Sequence, residues 1–184
     1  MLTALRFLLS PWRLRFMRRY ARPATSELLA RLEQFASSEG RIFMMTLLDA
    51  NTEFLAHAFS PSGVLAGLRD RLTAQSLRAC LGSMLIYSVN LFARNEMARD
   101  GSELVILLSR ALAVGPEAVM LRRDALRKAP RSEEWMLYTW LLKDLQAPIP
   151  KFDSALEQAF GYQYLSYIAQ YKSILEKNVP GGDE

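Results

Sequence analysis

Apolar residues recur along this chain at helical spacing, and no stretch alternates apolar and polar positions over the length of a strand. Leu28, Leu32 and Phe35 mark a first helix of the main body, capped by Thr25 or Ser26 and closed near Gly40. Arg41 to Phe59 follows. Its start, Ile42-Phe43-Met44-Met45, suits a strand as well as a helix, but Phe54, Leu55 and Ala58 restore helical spacing. Ser60-Pro61 ends that helix and opens a short one over Val64 to Leu72, with Ser as N-cap and Pro at the first helical position. Ser76 to Arg99 is the longest and most apolar helix.

Asp100-Gly101-Ser102 is a break and a cap for Glu103 to Ala113, where Leu104, Leu107, Leu108 and Leu112 share a face. Gly115-Pro116-Glu117 opens the next helix, which runs to Lys128 with an acid in the first turn, where the helix dipole favours it. Ser132-Glu133-Glu134 starts another, through Trp135, Leu137, Tyr138, Leu141 and Leu142 to Leu145. Ala147-Pro148-Ile149-Pro150 is a stiff connector, and Ser154-x-x-Glu157 reads as a capping box. The last helix carries a kink at Gly161 and ends near Asn178. Eight or nine helices with short links predict an all-α fold, one compact multi-helix domain over residues 23–178 with a flexible tail over 179–184.

Charge divides the chain differently. The first 22 residues carry six arginines (Arg6, Arg13, Arg15, Arg18, Arg19 and Arg22) and no acid; Glu27 is the first carboxylate. The whole chain sums to 23 − 19 = +4, so residues 23–184 sum to 17 − 19 = −2. The alkaline pI therefore comes from one end, a basic amphipathic N-terminal arm. Three readings fit it. Arginine-rich, acid-poor, amphipathic leaders resemble mitochondrial presequences, and Arg18-Arg19-Tyr20-Ala21 resembles their processing pattern. At 100° per residue Leu2, Leu5, Leu8, Leu9, Trp12, Phe16 and Tyr20 share one side, with arginines at its edges and only Arg19 out of place, which suits an anionic membrane surface. The same side also suits packing on the body or on a partner, with solvated arginine heads. Ser10-Pro11 predicts a bend between two short helices.

Composition adds little. The chain of 184 residues is long enough for one well-buried domain, and its single cysteine excludes an internal disulfide. The longest uncharged run, Ala79 to Ala93, has 15 residues and includes Ser83, Ser88 and Asn90, which fits a core helix better than the ~20 apolar residues of a membrane span.

The sequence holds no Gly-rich phosphate loop, nucleophile elbow or zinc spacing. Asp49, Glu53 and His57 fall on one helical face, but a metal site needs more ligands than one helix offers, and a structural role is favoured. Cys80 opens the most apolar helix and reads as a structural thiol. The reading leans away from catalysis, with Asp49, Glu53 and His57 as the place an enzyme site would form, and no cofactor or bound metal is expected. Arg122, Arg123, Arg127, Lys128 and Arg131 are candidate phosphate contacts, although the last of them also complement a helix C-terminus. Tyr164, Tyr167 and Tyr171 form a stripe suited to an interface or to a core edge.

These features point to a non-catalytic helical accessory protein, intracellular or mitochondrial. Trp12, Phe16, Tyr20 and the arm's arginines would dock on an anionic membrane surface or on protein partners in a larger assembly. Nucleic-acid binding through the arm and the 122–131 cluster is the alternative.

Overall fold

The computed structural model describes residues 10–34, 38–94 and 102–178. Nine α-helices run through them, with one π-helical and one 3-10 segment and no strand among the described residues, so the chain is all-α. Arg6, Phe35, Asp100-Gly101 and the 179–184 tail lie outside this range.

Helix α1 (Pro11–Phe16), a π segment (Met17–Ala21) and α2 (Arg22–Leu32) follow one another without a break. Ser10 caps this helix by accepting the Arg13 amide at 3.2 Å, with Pro11 at the first position, as the sequence predicts. The Arg22 N–H reaches back five residues to the Met17 carbonyl. Pro23 explains the wider turn, because a proline ring collides with the carbonyl four residues before it in an ordinary α-helix. The turn also resets the register. Phe16, Ala21, Ala24, Leu28 and Leu32 are the buried stripe, with a five-residue step from Phe16 to Ala21. Tyr20, which α-helical spacing would align with Phe16, moves to the half-buried margin.

One expectation fails here. Thr25 and Ser26 are not caps: they lie inside the helix and donate to the carbonyls of Ala21 (3.0 Å) and Pro23 (3.2 Å). The helix runs on through residue 22, with Phe16 fully buried on one side of it and Leu28 on the other. The seats of Phe16, Leu28 and Leu32 outweigh the local cap signal, because burying a Leu- or Phe-sized side chain gains about 1.5–3 kcal/mol against ~1 for a cap.

Helix α3 (Ser38–Ala58) begins before the predicted Arg41 and resolves the Ile42–Met45 ambiguity as helix. Ser60-Pro61 opens no α-helix; a turn leads into the 3-10 segment Ala66–Arg71. Gly63 belongs to that turn, and a Cβ there would lie 2.2 Å from the carbonyl oxygens of both His57 and Ala58, so only glycine fits against the end of α3. Helix α4 (Ala74–Phe92) starts at a reciprocal capping box of Thr73 and Ser76, two residues earlier than predicted. Every side chain from Cys80 to Asn90 is buried, which makes α4 the central helix. Against it pack α2, α3, α5 (Glu103–Leu112), α6 (Pro116–Arg127) and α7 (Glu133–Asp144).

Ser102 and Ser132 cap α5 and α7 as predicted, accepting from Val105 and Trp135. Helix α8 (Ser154–Ala169) is capped instead by Asp153, which accepts the amides of Ala155 (2.9 Å) and Leu156 (3.2 Å). Glu157 is thereby free to accept from Ser132 across the connector. The helix continues unbroken through Gly161. A Cβ there would meet Glu134 Cγ at 3.1 Å, so this glycine brings α8 close to α7. The short α9 (Lys172–Lys177) closes the described chain and packs on α3.

One polar cluster lies inside this apolar packing. Asn51 of α3 donates to Ser88 Oγ of α4 at 3.0 Å. Ser88 donates to the Met84 carbonyl at 2.6 Å. Tyr164 of α8 donates to Asn51 Oδ1 at 3.1 Å and lies 2.6 Å from Ser88 Oγ. All three side chains are fully buried. Phe54 and Tyr87 meet the Tyr164 ring edge-on, at 5.1 and 5.4 Å between centroids.

Two substitutions test this reading. Phe16→Ala is expected to lower unfolding free energy by about 3–5 kcal/mol in urea titration, because it empties a core seat; an unchanged midpoint would make the N-terminal helix dispensable. Tyr164→Phe keeps the ring and removes one donor, and is expected to cost about 1–3 kcal/mol by leaving the Asn51 oxygen short of a partner.

Candidate functional site

The N-terminal helix has an inner and an outer side. On the inner side Trp12 Nε1 donates to the Ala56 carbonyl at 2.8 Å. Arg13 grips Glu53 through both Nε (2.9 Å) and Nη2 in a fork geometry. Phe16 stacks on Phe59 with centroids 6.4 Å apart. Trp12, Arg13 and Phe16 are thus engaged by the body: Phe16 is fully buried, while Trp12 and Arg13 are half-buried. Burial won because the apolar face of an amphipathic helix packs on whichever greasy partner is near, and α3 is tethered to it.

The outer side is different. Arg15, Arg18, Arg19 and Arg22 are exposed, and so is Leu14 at 58%. No acid occurs before Glu27. Arg19 lies over the ring of half-buried Tyr20, and Arg69 from the 3-10 segment lies over Trp12 at 5.7 Å, adding a cation beside the same end. Between this helix and α3 runs an open groove of about 630 Å³, with Leu14, Met17, Leu29 and Leu48 on its walls and Arg18 and Arg22 at its rim. Asp49 and Thr52 also line it; burial raises the Asp49 carboxyl above its ordinary value, and the nearby Glu53 adds to that.

The Asp49, Glu53, His57 face holds no shared site. Glu53 is committed to Arg13, and His57 lies against the Tyr167 ring with centroids 5.5 Å apart. Among the described residues no group of histidine, cysteine and carboxylate side chains is arranged to hold a metal ion. Cys80 is buried, its thiol pushed well up by desolvation and then by Asp144, and it reaches the Leu141 carbonyl.

The 122–131 cluster divides. Arg123 is 2% exposed, donates to the Arg94 carbonyl at 3.2 Å, and has its pKa lowered first by burial, then by Arg127. It cannot meet an outside phosphate, which corrects its assignment. Arg131 lies 4.6 Å over the Phe152 ring, while Arg127 and Lys128 end α6 in solvent. Arg122 turns to a second cleft. The tyrosine stripe divides too: Tyr164 is interior and no interface residue, whereas Tyr167 and Tyr171 are half-buried beside Arg13 and Glu53.

That second cleft, of about 500 Å³, lies where α2, α4, α5, α6 and α7 meet. Leu28, Gly82, Ile86 and Leu112 contribute to its apolar lining, and Arg31, Arg78, Arg122 and Asp144 contribute charge. Glu27 pairs with both Arg31 and Arg78. Ser83 Oγ donates to Asp144 at 2.6 Å and accepts from Arg122 Nη1 at 3.0 Å. Burial raises the Asp144 carboxyl, while Ser83 and Arg122 pull it back. None of Arg31, Arg78, Ser83 or Asp144 stood out in the sequence as a site residue, because each alone is an ordinary polar residue of a helix.

No protein-family model, curated protein or solved structure matches this chain. Among the described residues no single helix is long and apolar enough to cross a membrane. Helices α5 and α6 reach that length only together, across a 107° bend, and α6 carries Arg122, Arg123 and Arg127.

His57 supplies a pH test. Burial lowers its pKa below the ordinary 6.5, so the unfolded chain takes up the proton first. The stability held by neutral His57 is complete above pH 6.5 and is lost as pH falls below it, by at most ~1.4 kcal/mol per unit. His57→Gln is expected to flatten that limb in urea melts across this range; an identical pH dependence in the variant would refute the assignment.

Proposed function

We propose that this protein is a non-catalytic helical accessory protein that docks on an anionic membrane surface through the outer side of its N-terminal helix. The observation that carries the reading is exposed Leu14 among exposed Arg15, Arg18, Arg19 and Arg22, with no carboxylate on the chain before Glu27. Exposed cations spread along the same length of helix as an exposed apolar side chain match the headgroup zone, where phosphates lie just above the acyl chains. The groove beside it repeats the chemistry, with apolar walls and Arg18 and Arg22 at the edge.

The body supports this role by holding the helix rigid. Because Trp12, Arg13 and Phe16 are fixed to α3 or the core, the arginines are presented on a preordered surface. Little ordering entropy is then lost on docking. Nucleic-acid binding draws less support, since Arg123 is interior and interrupts the 122–131 cluster.

Flotation with phosphatidylserine-containing vesicles tests the reading. The native chain is expected to float with them and not with phosphatidylcholine vesicles. Replacing Arg15, Arg18, Arg19 and Arg22 together by glutamine is expected to weaken binding roughly tenfold or more, at ~1 kcal/mol per cation less screening by salt. Equal flotation of the variant, or equal binding to neutral vesicles, overturns the proposal.

A further inference from the structure

The cleft between α2, α4 and α6 has a composition that ordinary packing does not require. Its apolar lining comes from Leu28, Gly82, Ile86 and Leu112, and glycine at position 82 leaves that part of α4 without a side chain. A Cβ there would already approach Leu112 Cδ2 at 3.2 Å. Its volume, about 500 Å³, lies in the range of small-molecule sites, roughly 300–1,000 Å³.

Three guanidiniums from three helices surround this lining, against two carboxylates. Their states differ. Arg31 and Arg78 share Glu27, and each also donates to a backbone carbonyl, of Ala111 and Pro23 respectively. Arg122 forms no ion pair among the described residues. One of its N–H groups binds Ser83 Oγ, and its guanidinium lies 5.6 Å from the centre of the Trp140 ring. An arginine held by a hydroxyl and an aromatic face keeps further donors for a planar anion.

We propose that this cleft binds a small amphipathic carboxylate, with Arg122 meeting the head group and the Leu28, Gly82, Ile86 and Leu112 lining taking an acyl chain. The charge balance decides the sign of the ligand: Arg31, Arg78 and Arg122 line the cleft with Asp144, and Glu27 pairs with the first two, which leaves an excess of one positive charge that a single carboxylate neutralises. The apolar lining decides its body, since a bare anion would leave that surface wet. This inference is independent of membrane docking, because none of these residues lies on the outer side of α1 or the π segment.

Calorimetric titration of the full chain with dodecanoate, below the concentration at which it forms micelles, tests the proposal. Acetate supplies the head without the chain, and dodecyltrimethylammonium supplies the chain with the opposite charge. One saturable site for dodecanoate is expected, at least tenfold tighter than for either control. Arg122→Gln removes the proposed head-group contact. Ala118→Trp adds bulk at an exposed lining position without changing charge. Each is expected to weaken dodecanoate binding at least tenfold while retaining the native far-ultraviolet spectrum. No saturable binding by the native chain, equal binding of the cationic control, or unchanged affinity in both variants overturns it. Vesicle flotation of the same variants should match the native chain, which keeps this result separate from that of the Arg15–Arg22 replacement.

Discussion

Three helices of this domain share one hydrogen-bonded node, and their relative placement depends on it. Asn51, Ser88 and Tyr164 come from α3, α4 and α8, and each is fully buried. Apolar surfaces alone tolerate sliding, because leucine packs on leucine in many registers. A buried amide does not: misplaced by one residue it loses its partners and incurs a desolvation penalty of about 1–3 kcal/mol per group. The node therefore selects one arrangement among many greasy ones. The edge-on rings of Phe54 and Tyr87 around Tyr164 then fill the space that the node defines.

Around that node the N-terminal helix is foundation and surface at once. Its inner stripe, Phe16, Ala21, Ala24, Leu28 and Leu32, closes the core on one side, and Arg13 is clamped to Glu53. Its outer side remains cationic. Cleavage between Tyr20 and Ala21, where the sequence resembles a processing site, would sever the π segment and take Trp12 and Phe16 from their seats. The two sides of one helix do opposite jobs because the step between them is geometric and needs no linker.

Much of the fold was readable from residue order. Ser10-Pro11, Ser102, Gly115-Pro116 and Ser132 mark helix starts, and the all-α class follows from apolar spacing. These are local signals, in which a side chain answers the backbone amides beside it. Signals that depend on distant partners misled. Thr25 and Ser26 look like caps until α4 and α5 are present to bury the helix around them. Gly161 looks like a hinge until Glu134 approaches it. The basic cluster looks continuous until Arg123 turns inward. The arginine cleft was invisible for the same reason, since Arg31, Arg78 and Arg122 meet only after three helices have packed.

The π segment Met17–Ala21 does more than ease Pro23 into a helix. A hydrogen bond that spans five residues holds one more residue per turn than the core-facing stripe uses. That surplus residue is accommodated outward, where Arg18 and Arg19 stand side by side in solvent. The widened coil thus acts as a vernier between two incompatible spacings: it lets hydrophobic seats keep their stride inside while positive charge is crowded together outside, on a single length of backbone.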